Sequence, residues 1–143
     1  MSTDIHSQLE GASTGYHDGA IFKLVNGQVW QQARYHYHYH YEYRPHVRLY
    51  DLNGVQMLQL DGLSEAVQVV RAQIVCEGII VSEFNGFNDD ARFEFQNGQI
   101  WVPAEHKHQY HYAHRPSAMV VQGVGGLTLH VEDMNDSLAV RRA

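Results

Sequence analysis

The sequence predicts an all-β chain of two tandem repeats, each an SH3-like or related small β-barrel, the two related by pseudo-twofold symmetry. Three observations carry this prediction. The chain contains its own copy: Asn26-Gly27-Gln28-Val29-Trp30 returns as Asn97-Gly98-Gln99-Ile100-Trp101, an offset of 97 − 26 = 71 residues. Without a gap, the same offset aligns Phe22 with Phe93, Arg44-Pro45 with Arg115-Pro116 and Leu58 with Leu129. Identity that dense at one fixed spacing marks tandem duplication. Apolar residues recur with a period of two, as in Arg92-Phe93-Glu94-Phe95, and no stretch carries a 3.6-residue repeat. Finally, Asn-Gly dipeptides punctuate the strand-like runs at Asn26-Gly27, Asn53-Gly54 and Asn97-Gly98.

Taken in order, residues 1–15 read as a loosely ordered N-terminal segment, followed by repeat 1 over 16–74 and repeat 2 over 75–143, packed as one compact unit. Each repeat reads as a meander of about five short strands. Copy 2 keeps a first strand from Gly78 to Phe84 that copy 1 has largely lost. Asn26-Gly27 predicts a type I′ hairpin, because that turn needs two residues tolerant of positive φ. Such a two-residue turn pairs Phe22 with Gln31 and Leu24 with Val29. The run from Gln28 to Arg44 would span roughly 56 Å as one strand, far beyond the usual length. It must break, and Pro103, aligned with Gln32, marks the place. Ser64-Glu65-Ala66 and Asn135-Asp136-Ser137 read as connections before the last strand of each copy.

Composition places the chain among soluble globular proteins, with 44% hydrophobic and 18% charged residues. The net charge of −6 argues against nucleic acid or an anionic membrane as partner. The 11 histidines would swing it to −6 + 11 = +5 on full protonation. Cys76 is alone, which excludes an intramolecular disulfide. The first residues lack the apolar run of a signal peptide, and no segment approaches a membrane span. The expected location is the cytoplasm.

The segment Tyr35-His36-Tyr37-His38-Tyr39-His40-Tyr41-Glu42-Tyr43-Arg44 alternates strictly. In a strand, its five tyrosines share one face, and its histidines share the other with Glu42 and Arg44. Carrying the register forward to Val47 and Leu49 places the tyrosines toward the core and the histidines outward. Copy 2 retains Tyr110-His111-Tyr112 and Arg115 of this pattern. A metal reading assigns His36, His38 and His40 as ligands of zinc or another divalent transition metal. Same-face imidazoles about 6.5–7 Å apart can converge on such an ion. The competing reading makes these histidines polar β-formers stacking on cross-strand neighbours.

The string Leu24-x-Asn-Gly-Gln-x-Trp30-x-Gln32, followed by alternating aromatics and Tyr43-Arg44-Pro45, resembles a small bacterial β domain of unknown function. That domain is of the kind carried on integron and other mobile gene cassettes. The resemblance is close over about residues 20 to 70 and looser over 77 to 143, and it implies no activity, substrate or cofactor. No nucleophile elbow, His-Glu-x-x-His, Cys-x-x-Cys or Walker pattern occurs, so the residues point away from an enzyme. The expected function is a non-catalytic binding module without a cofactor. It would engage a small molecule or a protein, a second copy in a homodimer included, near the repeat interface. The residues expected to make contact are Tyr39, His40, Tyr41, Arg44, Tyr110, His111, Tyr112 and Arg115. The alternatives are the metalloprotein and a single-stranded nucleic-acid binder using the aromatic strand beside Arg34, Arg44 and Arg48.

Overall fold

The computed structural model describes residues 4–143. Its Cα framework divides into two compact units, the first ending at Ala72 and the second running from Gln73 to Ala143. The described residues form strands and turns, as the period-two pattern predicts.

In the first unit, β1 (Ile5–Gln8), β2 (Ala12–Tyr16), β3 (Ile21–Lys23) and β4 (Val29–Gln32) precede the tyrosine-bearing β5 (His38–Tyr43). Next come β6 (His46–Leu52), β7 (Val55–Leu60) and β8 (Val67–Ile79). All pairings are antiparallel: β1 with β6, β6 with β7, β7 with β8, β8 with β4 and β4 with β3. Strands β2 and β5 form a separate two-stranded sheet. One strand, β8, ends the first unit and begins the second. The second unit then repeats the plan with β9 (Phe84–Phe87), β10 (Phe93–Glu94), β11 (Ile100–Pro103) and β12 (Gln109–Ala113). It finishes with β13 (Ser117–Gly123), β14 (Gly126–Val131) and β15 (Leu138–Arg142), and β9 pairs with β12 as β2 pairs with β5.

The expected SH3-like barrels do not form: among the described residues the strands make three sheets, none of them closed. In each unit the place where closure would occur holds one isolated bridge, Leu9 to Leu24 in the first and Ile80 to Phe95 in the second. Strands β3 and β10 are three and two residues long, too short to extend such a bridge into a ladder. A second correction concerns the N-terminus. Where a loosely ordered segment is expected over 1–15, Ile5–Gln8 forms β1 and Ala12–Tyr16 forms β2, so copy 1 has not lost its first strands.

Alternation positions the cores. In the first unit Leu9, Tyr16, Phe22, Leu24, Leu49, Leu58, Val67 and Val69 pack as one buried cluster. In the second, Ile80, Phe84, Phe87, Phe93, Phe95, Val120, Leu129 and Val140 do the same. Each such side chain contributes roughly 1.5–3 kcal/mol through its removal from water. Trp30 and Trp101 each lie under a guanidinium of their own unit, Arg71 at 5.4 Å and Arg142 at 5.3 Å from the ring centre.

The first hairpin differs from its prediction in an instructive way. Gly27 has φ of 90° but Asn26 is not left-handed, so the turn is not type I′. The Leu24 N–H donates to the Gln28 carbonyl at 2.9 Å, closing a three-residue loop of Val25-Asn26-Gly27. Pairing is therefore Phe22 with Trp30 and Lys23 with Val29, one residue from the predicted register. Asn53-Gly54, by contrast, has φ of 53° and 86°, the two left-handed residues that a type I′ turn requires.

Candidate functional site

The predicted break between the hairpin and the tyrosine strand falls at 33–37. The buried Gln32 side chain organises it, its amide donating to the carbonyls of Arg34 and His36, both at 2.9 Å. Beyond the break, β5 docks on β2 through Gly15. That glycine has φ of +98°, and a Cβ there would strike the backbone carbonyl of His38 and lie 2.8 Å from the His40 amide nitrogen. Gly86, at φ +96°, meets Gln109 and His111 of β12 in the same manner. The two glycines stand 86 − 15 = 71 residues apart, a signal the repeat alignment contains and the sequence argument did not use.

The tyrosines do not face the core. Tyr35, Tyr37, Tyr39, Tyr41 and Tyr43 keep between 57% and 76% of their surface exposed, and Tyr110 and Tyr112 keep 79% and 60%. The histidine side of β5 is the half-covered one, reversing the expected facing. The error has two physical sources. A one-residue slip in the first hairpin inverts the face assigned to every later residue. Parity also cannot be carried through 33–37, where the backbone is not a strand.

On the covered side the histidines find carboxylates. His36 Nε2 lies 3.4 Å from Glu65 Oε1, and His38 Nδ1 makes a short hydrogen bond to the same oxygen. His40 Nε2 lies 3.6 Å from Glu42 Oε1, against Gly62. Beneath them the buried Tyr16 hydroxyl donates to the Glu65 carbonyl at 2.8 Å and accepts from the Leu60 N–H at 2.9 Å. Its ring meets His36 edge-on at 5.7 Å. Glu65 and Tyr16 are the residues sequence reasoning missed. Their partnership joins positions 49 residues apart, which no local spacing announces.

In the second unit His106 and His108, at the positions equivalent to Tyr35 and Tyr37, gather on Asp89, at 3.1 Å and 3.6 Å. The His106 hydrogen bond chiefly holds the Asp89 carboxyl below its ordinary range. His111 packs edge-on against Phe84 at 6.5 Å.

Arg44 and Arg115 each follow a Tyr-bearing strand with φ of 52° and 49°, a left-handed conformation uncommon outside glycine. Both residues are exposed. Among the described residues, neither guanidinium makes an ion pair or hydrogen bond.

Among the described residues no group of three His, Cys, Asp or Glu is placed to hold a metal ion. His36 and His38 share one carboxylate oxygen, and His40 turns to Glu42. The three imidazoles are divided between two carboxylates, and the zinc arrangement that the alternative reading requires is not formed among the described residues. No helix of the described residues is long and apolar enough to cross a membrane. Fold and site together define a duplicated all-β chain that displays an aromatic strand in each unit. Comparison with protein-family models, curated proteins and solved structures finds no match.

The shared hydrogen bonds make an acid-stability prediction. His38, followed by His36, holds the Glu65 carboxyl down from 4.5 to about 2. A depressed acid pKa contributes stability that is present above the unfolded value and lost as pH falls through the folded one. Glu65→Gln is therefore expected to lower the melting temperature by a few degrees at pH 6. The gap to wild type should close between pH 4.5 and about 2. A calorimetric gap that stays constant with pH would show that the carboxylate does not anchor the strand.

Proposed function

We propose that this chain is a non-catalytic binding module that holds a protein or small-molecule partner on the tyrosine-bearing strand of each repeat. Tyr39, Tyr41 and Arg44 make the contacts in the first repeat, and Tyr110, Tyr112 and Arg115 in the second. His40 and His111 lie on the opposite face and set the position of the strand. The observation that carries this reading is the exposure of Tyr39, Tyr41 and Tyr43 at alternate positions of β5, with Tyr35 and Tyr37 also exposed in the segment just before it. Scattered surface aromatics are ordinary, but a contiguous row is not.

Physical chemistry favours tyrosine for such a task. Each ring offers a large amphipathic contact area at the entropy cost of two torsions. Same-face rings in β5 stand about 6.7 Å apart, so they present a ribbon suited to an extended ligand. Arg44 and Arg115 add a guanidinium fork for an anionic group at the end of each ribbon. Their left-handed backbone would be less strained as glycine, so a retained side chain points to use beyond the turn itself.

The test is a panel of extended peptides, oligosaccharides and single-stranded oligonucleotides titrated against wild type and Tyr39→Ser/Tyr41→Ser. The double variant should lose at least about tenfold in affinity for the peptide or oligosaccharide that wild type binds. Its melting temperature should stay near that of wild type, because exposed side chains contribute little to folding. Binding unaffected by the double substitution would remove this surface from consideration. Salt-dependent binding to oligonucleotides alone would reassign the partner to nucleic acid.

A further inference from the structure

We propose that the first unit carries a second binding site: a cleft on the outer face of β1, β6 and β7 that takes a small primary amine in its ammonium form. The site uses none of the exposed tyrosines, so it stands or falls apart from the reading above.

Strand pairing builds the cleft. Val47 and Leu60 are cross-strand partners and both are buried, so their neighbours along each strand turn outward. These are His46 and Arg48 of β6, with Gln59 of β7 and Asp61 just past its end. His6 joins them, because β1 sets it opposite Arg48. The Asp61 N–H donates to the His46 carbonyl at 2.9 Å, which keeps Asp61 alongside His46 beyond the strand. The chain then turns at Gly62, with φ of +87°. Together these residues border a hollow of about 300 Å³, at the lower end of the range for small-molecule sites.

The electrostatics of the cleft favour a cation. Its permanent positive charge, Arg48, is already engaged: Nε and Nη2 both lie 2.9 Å from Asp4 Oδ2, and the guanidinium stacks 4.2 Å over the Tyr50 ring. The Asp61 side chain makes no ion pair or hydrogen bond among the described residues. Behind Gly62, Glu42 adds negative charge, its Oε1 3.8 Å from where a Cβ would stand. The Gln59 amide donates through Nε2 to the Leu63 carbonyl at 2.8 Å, which leaves its oxygen as an acceptor. A neutral imidazole at His46 adds one acceptor nitrogen. An ammonium group has three N–H donors and no acceptor, the complement of this set. Asp61 and His46 are cross-strand neighbours about 5 Å apart at Cβ, and Gln59 is the next same-face position, about 6.7 Å along. One ammonium between them reaches all three.

The second repeat supplies a contrast. At the offset of 71, Met119 stands for Arg48, His130 for Gln59 and Glu132 for Asp61. There the carboxylate is taken up by main chain, since Glu132 Oε1 accepts the Ser117 N–H at 3.0 Å. Asp61 is one methylene shorter and makes no such bond to His46. The same turn thus carries a spent carboxylate in one unit and a free one in the other.

Amide chemical shifts of the full chain, titrated with butylamine near neutral pH where it is an ammonium ion, test the proposal. Shifts should concentrate at His46, Gln59 and Asp61 to Leu63, with half-saturation at about 1 mM or below. Tetramethylammonium carries the same charge without an N–H and should bind at least about tenfold more weakly. Asp61→Asn keeps the shape and the main-chain bond and removes the charge. It should lose at least about tenfold in affinity for butylamine with its melting temperature unchanged, because Asp61 is exposed. Arg48→Met should leave butylamine binding intact.

An absence of shifts up to about 20 mM butylamine overturns the proposal. Equal binding of tetramethylammonium overturns it too, by reducing recognition to charge alone. Shifts that survive Asp61→Asn, or that gather on the tyrosine strand, place the amine elsewhere and also overturn it. Binding of butanoate in place of butylamine, lost in Arg48→Met, overturns it in favour of an anion site on the guanidinium. The two wild-type titrations decide the matter if Asp61→Asn fails to fold.

Discussion

Gly15→Ala is expected to destabilise the protein by about 3 kcal/mol, a fall in melting temperature on the order of 10 °C. Two costs combine at this position. The backbone sits at φ +98°, which L side chains rarely adopt, and the new methyl would run into main-chain atoms of His38 and His40. Main chain in a paired strand cannot swing aside as a flexible side chain does, so β2 and β5 must separate. The effect should appear in amide exchange as opening of 12–16 and 38–43 before the rest of the first unit. Gly86→Ala should act alike on β9 and β12, because its Cβ would meet Gln109 and His111. A melting temperature within about 2 °C of wild type for both variants would refute the close approach of these strands.

Tyr16→Phe is expected to cost about 2 kcal/mol. The ring is fully buried, and its hydroxyl joins the Leu60 N–H to the Glu65 carbonyl. Removing it leaves both groups short of a partner in a site closed to water. The internal repeat supplies a steric control, since Phe87 occupies the equivalent position (16 + 71 = 87) and is equally buried. Any loss in Tyr16→Phe therefore reads the hydrogen bonds rather than the shape of the ring. Burial also pushes the Tyr16 hydroxyl up to about 12. For an acid whose folded pKa is raised, stability is fully present below the unfolded value of 10.0 and is lost as pH rises toward the folded one. Wild type should consequently lose stability more steeply than Tyr16→Phe between pH 10 and 12. Parallel alkaline melting curves would contradict the assignment.

Both substitutions act on the support of the tyrosine strand and not on its exposed face. They are expected to alter binding only through the stability of the two-stranded sheet. Tyr39→Ser/Tyr41→Ser is expected to do the reverse, and the contrast separates a docking surface from the scaffold that presents it.

Several features were legible before any coordinates. The self-match at 71 residues required two similarly built halves, and the equivalent pairs β2–β5 and β9–β12 have that relation. The length of the run from Gln28 to Arg44 required a break, and β4 ends at Gln32 while β5 begins at His38. Alternation required strands. Barrel closure was not legible, because closure depends on whether two strand ends overlap long enough to form a ladder. Leu9 and Leu24 manage only a single bridge.

The sequence by itself determined the duplication, the β class, the turn sites and, within β5, the grouping of Tyr39, Tyr41 and Tyr43 on one face with His38, His40 and Glu42 on the other. Only the tertiary structure decided which of those faces meets water and which carboxylate each histidine finds. The physical reason is that alternation is symmetric: a period of two separates two faces without saying which is inside. Tyrosine, apolar in its ring and polar at its tip, suits either side. What breaks the symmetry is register, inherited here through a three-residue loop and an irregular connection that local rules do not carry across. The pairing of Tyr16 with Glu65, across 49 residues of chain, exists only once the folded strands bring them together.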